Sequence, residues 1–165
     1  MPVDDTRAIE PDSADGSALC ERDFVAWARD QAERLRKERT AGSNLAIDWP
    51  HLIEEVEDLG NRHADALGRC LTVVIEQLLK LQLSPAAEPK RGWRASVTEH
   101  RTRALRLLKR NPSLKAQLPD LLADAHEDGR VLAAEGLVTD GVPPTDPALA
   151  RTYAAEQVLD RDWWP

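Results

Sequence analysis

Phenylalanine, tyrosine and methionine occur once each in this 165-residue chain, and cysteine only twice. Cys20 and Cys70 stand far apart in sequence, which argues against a disulfide framework. Cys20 precedes an acidic run that disfavours a thiolate, and Cys70 falls among apolar residues, so neither reads as a nucleophile. No apolar run approaches the ~20 residues needed to cross a bilayer, so no membrane segment is expected. An excess of positive charge is also missing: the formal net charge is −7, and long-range attraction to nucleic acid or anionic lipid is not expected. The opening MPVDDTRAIEPDSADGS is acidic and lacks the basic and apolar regions of a signal peptide, which predicts a cytoplasmic protein. There is no nucleophile elbow and no glycine-rich phosphate loop.

Alanine, leucine, arginine and glutamate are abundant, and β-branched residues are sparse. That is the composition of a helical protein, and the length fits one domain with one core. Residues 1–20 combine Pro, Asp, Ser and Gly and read as a disordered or loosely attached acidic tail, leaving 21–165 as a single helical domain. Asp23 is placed to cap a first helix ending near Arg39, with Phe24, Trp27, Ala28, Gln31 and Leu35 at helical spacing. A second helix is expected from Trp49 to Leu83, about 50 Å long at 1.5 Å per residue, ended by Ser84-Pro85. Its apolar positions run through Leu52, Ile53, Val56, Leu59, His63, Leu67, Cys70, Leu71, Val74, Leu78 and Leu81.

A third helix is expected from about Trp93 to Arg110, with Val97, Ala104, Leu107 and Leu108 on one face. Asn111-Pro112 stops it, and a fourth follows to Gly136 with a kink or restart at Pro119. A proline-rich crossing loop and a short helix near Tyr153–Leu159 complete an all-α, bundle-like domain of about four main helices.

The stretch DWPHLIEEVEDLG gathers a histidine and several carboxylates. Asp48 followed by Pro50 suits a helix start, and acidic residues near that end favour the helix dipole. Projected at 100° per residue, Glu54, Glu55 and Asp58 lie off the apolar stripe, with Glu57 at its edge. A di-metal carboxylate bundle needs Glu-x-x-His motifs, and the chain has none.

The blocks DFVAWARDQAERLRKER, IDWPHLIEEVEDLG, LLKLQ, WRASVTEHR and EQVLDRDWWP, in that order, resemble the bacterial family catalogued as domain of unknown function 29. The resemblance covers residues 20–165 or so and implies a small all-helical protein; it brings no activity, cofactor or catalytic residue with it.

Two groups of side chains stand out as candidate sites. Arg94, Arg101, Arg103, Arg106 and Arg110 crowd the third helix and read as one basic surface, either a solvated face or a grip for an acidic protein partner. Trp163-Trp164 closes the chain and should dock into its own domain or into a partner. Trp27, Trp49 and Trp93 read as core. His63, His100 and His126, one on each of three helices, form a weak candidate for a three-histidine metal site; satisfied core histidines are the plainer reading. The leading expectation is a non-enzymatic interaction protein without a cofactor, binding an acidic partner or itself through the basic helix and the Trp segment. Its alternatives are a metal-dependent hydrolase using the three histidines and nucleic-acid binding through the basic helix.

Overall fold

The computed structural model describes residues 13–165. Six α-helices follow in order among them: α1 Ser13–Arg22, α2 Phe24–Thr40, α3 Trp49–Leu83, α4 Lys90–Arg110, α5 Leu118–Leu137 and α6 Ala155–Leu159. Short 3₁₀ turns at Pro112–Gln117, Val138–Asp140 and Pro147–Ala150 join the later helices. No strand occurs among the described residues, so the all-α expectation holds. Residues 13–20, read as part of a loose tail, lie in α1, which joins α2 at Asp23, whose amide donates to the Leu19 carbonyl at 2.8 Å; the rest of that predicted tail lies outside the described residues.

Local chemistry accounts for the helix ends. Asp23 caps α2, its carboxylate accepting from the Ala26 amide at 2.9 Å. Asp48 caps α3 through the His51 amide, with Pro50 in the first turn where its missing N–H has no partner to lose. Ser84 closes α3, its amide donating to the Lys80 carbonyl and its hydroxyl to Asp140 at 2.6 Å. Pro119 marks a restart rather than a kink, because a 3₁₀ turn precedes it and α5 begins at Leu118.

α3 is the spine, contacting α2, α4 and α5. Val25 and Ala28 of α2 meet Gly60, Phe24 meets His63, and Arg36 pairs with Glu57 at 2.5 Å, so α2 runs antiparallel to the first half of α3. α5 runs parallel to the second half: Leu121 lies on Gly68, Gly129 on Thr72, Ile75 and Glu76, and Gly136 on Lys80. Leu67, Leu71, Val74, Ile75, Leu78 and Leu79 form the centre of the core, covered by Val97, Ala104 and Leu108 of α4 and by Ala125, Ala133 and Leu137 of α5.

The apolar phases differ from the sequence reading in two places. On α2 the buried residues are Val25, Ala28 and Ala32, while Phe24, Trp27 and Leu35 are only half-buried; Val25 and Ala28 lie against Gly60, where the two backbones come close. Trp49 and Trp93 are likewise half-buried rather than core. On α3, Leu52 and Leu59 of the expected stripe are exposed, Ile53 and Leu67 face inward as expected, and Gly60 and Ala64 join them.

At Gly129 the helices touch through backbone. A Cβ there would stand 3.0 Å from the Thr72 carbonyl oxygen and 3.2 Å from the Glu76 nitrogen. Gly129→Ala is therefore expected to destabilise: overpacking costs about 1–3 kcal/mol, against at most about 1 kcal/mol gained in helix propensity. A lowered thermal midpoint checks this, and an unchanged or raised one would show that α5 can shift freely.

Candidate functional site

The arginines of α4 divide between two faces. Val97, Arg101, Ala104 and Leu108 follow one another in steps of four, three and four, the spacing of a single helical face, and all four are buried. Arg101 is wholly buried, which corrects its expected place on the basic surface. Its Nε donates to the Val158 carbonyl at 2.9 Å, Nη1 to the Trp163 carbonyl at 2.8 Å and Nη2 to the Gln157 carbonyl at 2.8 Å. Burial pushes its pKa down and Asp160 pushes it up; a guanidinium stays charged under either influence. The carbonyls it satisfies include those that the short α6 leaves open at its end.

The terminal tryptophans dock on the same clamp. The Arg94 and Arg101 guanidinium carbons lie 4.9 and 5.1 Å from the Trp164 ring centre, a cation–π arrangement. Trp163 meets Tyr153 edge-on at 5.6 Å, and both tryptophans are half-buried against the core. Trp163-Trp164 thus packs into its own domain.

His126 belongs to this C-terminal assembly as well. Its Nδ1 donates to the Leu122 carbonyl at 2.7 Å, and its Nε2 accepts from the Tyr153 amide at 2.9 Å. Those two bonds fix the neutral tautomer and occupy both ring nitrogens. The Tyr153 hydroxyl donates to Gln82 at 2.9 Å, and burial pushes its pKa up to about 12.

Arg103, Arg106 and Arg110 lie on the other side of α4 and line a groove against α3. The groove has a volume of about 560 Å³. Its floor is apolar, from Ala66, Cys70, Val73 and Leu107, and Arg69 of α3 joins the cationic wall. Arg103 pairs with Glu99 at 2.7 Å, but among the described residues Arg69, Arg106 and Arg110 have no carboxylate partner. The sequence reading passed over Arg69; its only signal is its place beside Cys70, one step off the apolar stripe.

His63 and His100 both border this groove. His100 donates from Nδ1 to the Ser96 carbonyl at 2.9 Å, leaving Nε2 without a partner among the described residues, and the His63 ring meets Phe24 at a tilt, with centroids 5.3 Å apart. With His126 held elsewhere, the three histidines do not converge, and no group of three or more ligating side chains is placed to hold a metal among the described residues. Cys70 is buried at the groove floor and its thiol is pushed up by desolvation, which disfavours a thiolate nucleophile.

The acidic stretch at the start of α3 forms no site of its own. Asp48 holds the His51 ring at 2.6 Å, and the pairing lowers the pKa of the carboxyl and raises that of the imidazole. Glu54, Glu55 and Asp58 face solvent, and Glu57 serves Arg36.

The family profile described as domain of unknown function DUF29 matches residues 19–164. The chain belongs to the DUF29 family. A solved structure similar to this DUF29 chain is that of an alpha-helical protein of unknown function from Rhodospirillum rubrum. It is 20% identical, covers 87% of this chain and 90% of its own, and superposes with a TM-score of 0.64, a likeness of fold alone. No curated protein matches the chain.

Proposed function

We propose that this DUF29 chain is a non-enzymatic interaction module of the bacterial cytoplasm that grips an acidic protein segment in the groove between α3 and α4. One observation carries the reading: Arg69, Arg106 and Arg110 stand around an apolar floor with no carboxylate of the described residues to neutralise them. Arg36 is paired and Arg101 is clamped within the fold. Cations that surround an apolar concavity suit a ligand with carboxylates at its rim and an apolar side chain at its centre. His63 and the open Nε2 of His100 add hydrogen-bonding capacity at the same edge.

The basic surface expected from sequence is thereby narrowed. Arg103, Arg106 and Arg110 remain in it and Arg69 joins them, whereas Arg94, Arg101, Trp163 and Trp164 serve the C-terminal dock. The two unpaired cysteines accord with a reducing compartment.

The test is capture of partners by wild type and by an Arg103→Glu, Arg106→Glu, Arg110→Glu variant, whose changes are all at exposed positions. Like charges facing each other across an interface cost several kcal/mol, so acidic partners should weaken at least about tenfold. Partners retained in full by a variant with an unchanged circular dichroism spectrum would rule the groove out.

A further inference from the structure

One face of α3 is only partly covered by the fold's own packing, and of its residues Cys70 alone is buried. Leu52, Val56, Leu59, His63, Ala66, Cys70 and Val73 recur in alternating steps of four and three, the spacing of a helix–helix seam. His63, Ala66, Cys70 and Val73 line the groove beside α4. Arg110 and Asn111, at the end of α4, border the same groove as His63, and Asn111 also reaches Val25 at the start of α2. The seam's first part therefore runs on beyond α4, and there Leu52 and Leu59 are 38% and 37% exposed.

Charge reverses along that face. Glu55 and Asp58 lie on the solvent side of the exposed leucines, and they make no ion pair among the described residues. Arg103, Arg106 and Arg110 flank the groove at the other end. Each molecule thus carries, along the length of α3, an acidic ridge with exposed leucines at one end and, at the other, a basic groove with an apolar floor shared with α4. Turned by a twofold axis near the middle of the seam, the ridge of one copy meets the groove of the other twice over, and the contact closes on itself.

We infer that the groove's partner is a second copy of this chain, in an antiparallel twofold pair in which Leu52 and Leu59 enter the partner's groove and the ridge carboxylates meet its arginines. This inference rests on the acidic-segment reading of the groove and names the segment.

The test is sedimentation equilibrium of the full chain with two charge-reversed variants, Arg103→Glu with Arg106→Glu and Glu55→Lys with Asp58→Lys, all at exposed positions. Wild type should sediment at twice its 18.4 kDa mass and dissociate as salt is raised. Each variant alone should self-associate at least about tenfold more weakly. Mixed in equal amounts, the two variants should restore a dimer, because both contacts become complementary again. Wild type that stays monomeric at ~100 µM, a dimer indifferent to both reversals, or a mixture that fails to associate would each overturn the inference. The two readings separate cleanly: monomeric wild type whose foreign partners are lost on arginine reversal keeps the groove and removes the second copy, whereas partners indifferent to that reversal remove the groove itself.

Discussion

Arg101→Ala is expected to lower the unfolding free energy by about 3–5 kcal/mol and to release the C-terminal segment. The guanidinium donates to three carbonyls, at Gln157, Val158 and Trp163, in a wholly buried position. A hydrogen bond to a charged group contributes about 1.5–3 kcal/mol, and each buried acceptor left without a donor costs about 1–3 kcal/mol. Water entering the vacated space offsets part of that sum. For a chain of this size the loss corresponds to a thermal midpoint lower by about 10 °C. Trp163 and Trp164 should lose their contacts with Tyr153 and Arg94, so tryptophan emission should shift to longer wavelength. Arg101→Lys should recover less than half of the loss, because a single ammonium cannot serve three carbonyls in the guanidinium's fork geometry. A variant within about 0.5 kcal/mol of wild type, with unchanged emission, would mean that solvent satisfies those carbonyls equally well.

Asp23→Ala should have the next largest effect, a loss of about 2–4 kcal/mol. Its carboxylate caps α2 at the Ala26 amide, and it also accepts from the Ser113 amide at 2.6 Å and the Ser113 hydroxyl at 2.8 Å. A lost cap costs about 0.5–2 kcal/mol, and the stranded Ser113 amide adds about 1–3 kcal/mol. Beside it, the Asn111 side chain accepts from the Val25 amide at 3.3 Å and donates to the Leu107 carbonyl at 3.1 Å, so the start of α2 is tied to the end of α4 by two neighbouring residues. Asp23→Ser separates the two roles: it should keep the cap and lose the tie. Urea unfolding of the three proteins measures both, and equal stability of the Ser variant and wild type would show that the tie to Ser113 adds nothing.

Arg101 also shows where sequence reading goes wrong. The sequence reading sets it with the other cations off the Val97, Ala104 and Leu108 face, whereas its steps of four and three to those residues put it on that face, and it is buried there. A buried arginine is tolerable only where acceptors converge on it, and those acceptors lie 56 to 62 residues further along the chain. His126 follows the same logic, since the amide that occupies its Nε2 is 27 residues away. The groove was half legible: Arg103, Arg106 and Arg110 share a helix face, but Arg69 joins them only because α4 lies against α3.

The sequence by itself determined the main helices and several of their ends, because capping residues, prolines and a 3.6-residue apolar period act within a few residues of chain; it missed α1 and the first turn of α4. It placed the limits of α3 at Trp49 and Leu83 and the cap of α2 at Asp23. It also required the terminal tryptophans to find cover. Only the tertiary structure decided which cations are clamped within the fold and which remain open at a groove. Whether a polar group is satisfied depends on partners from distant segments, and those meet only when the helices pack.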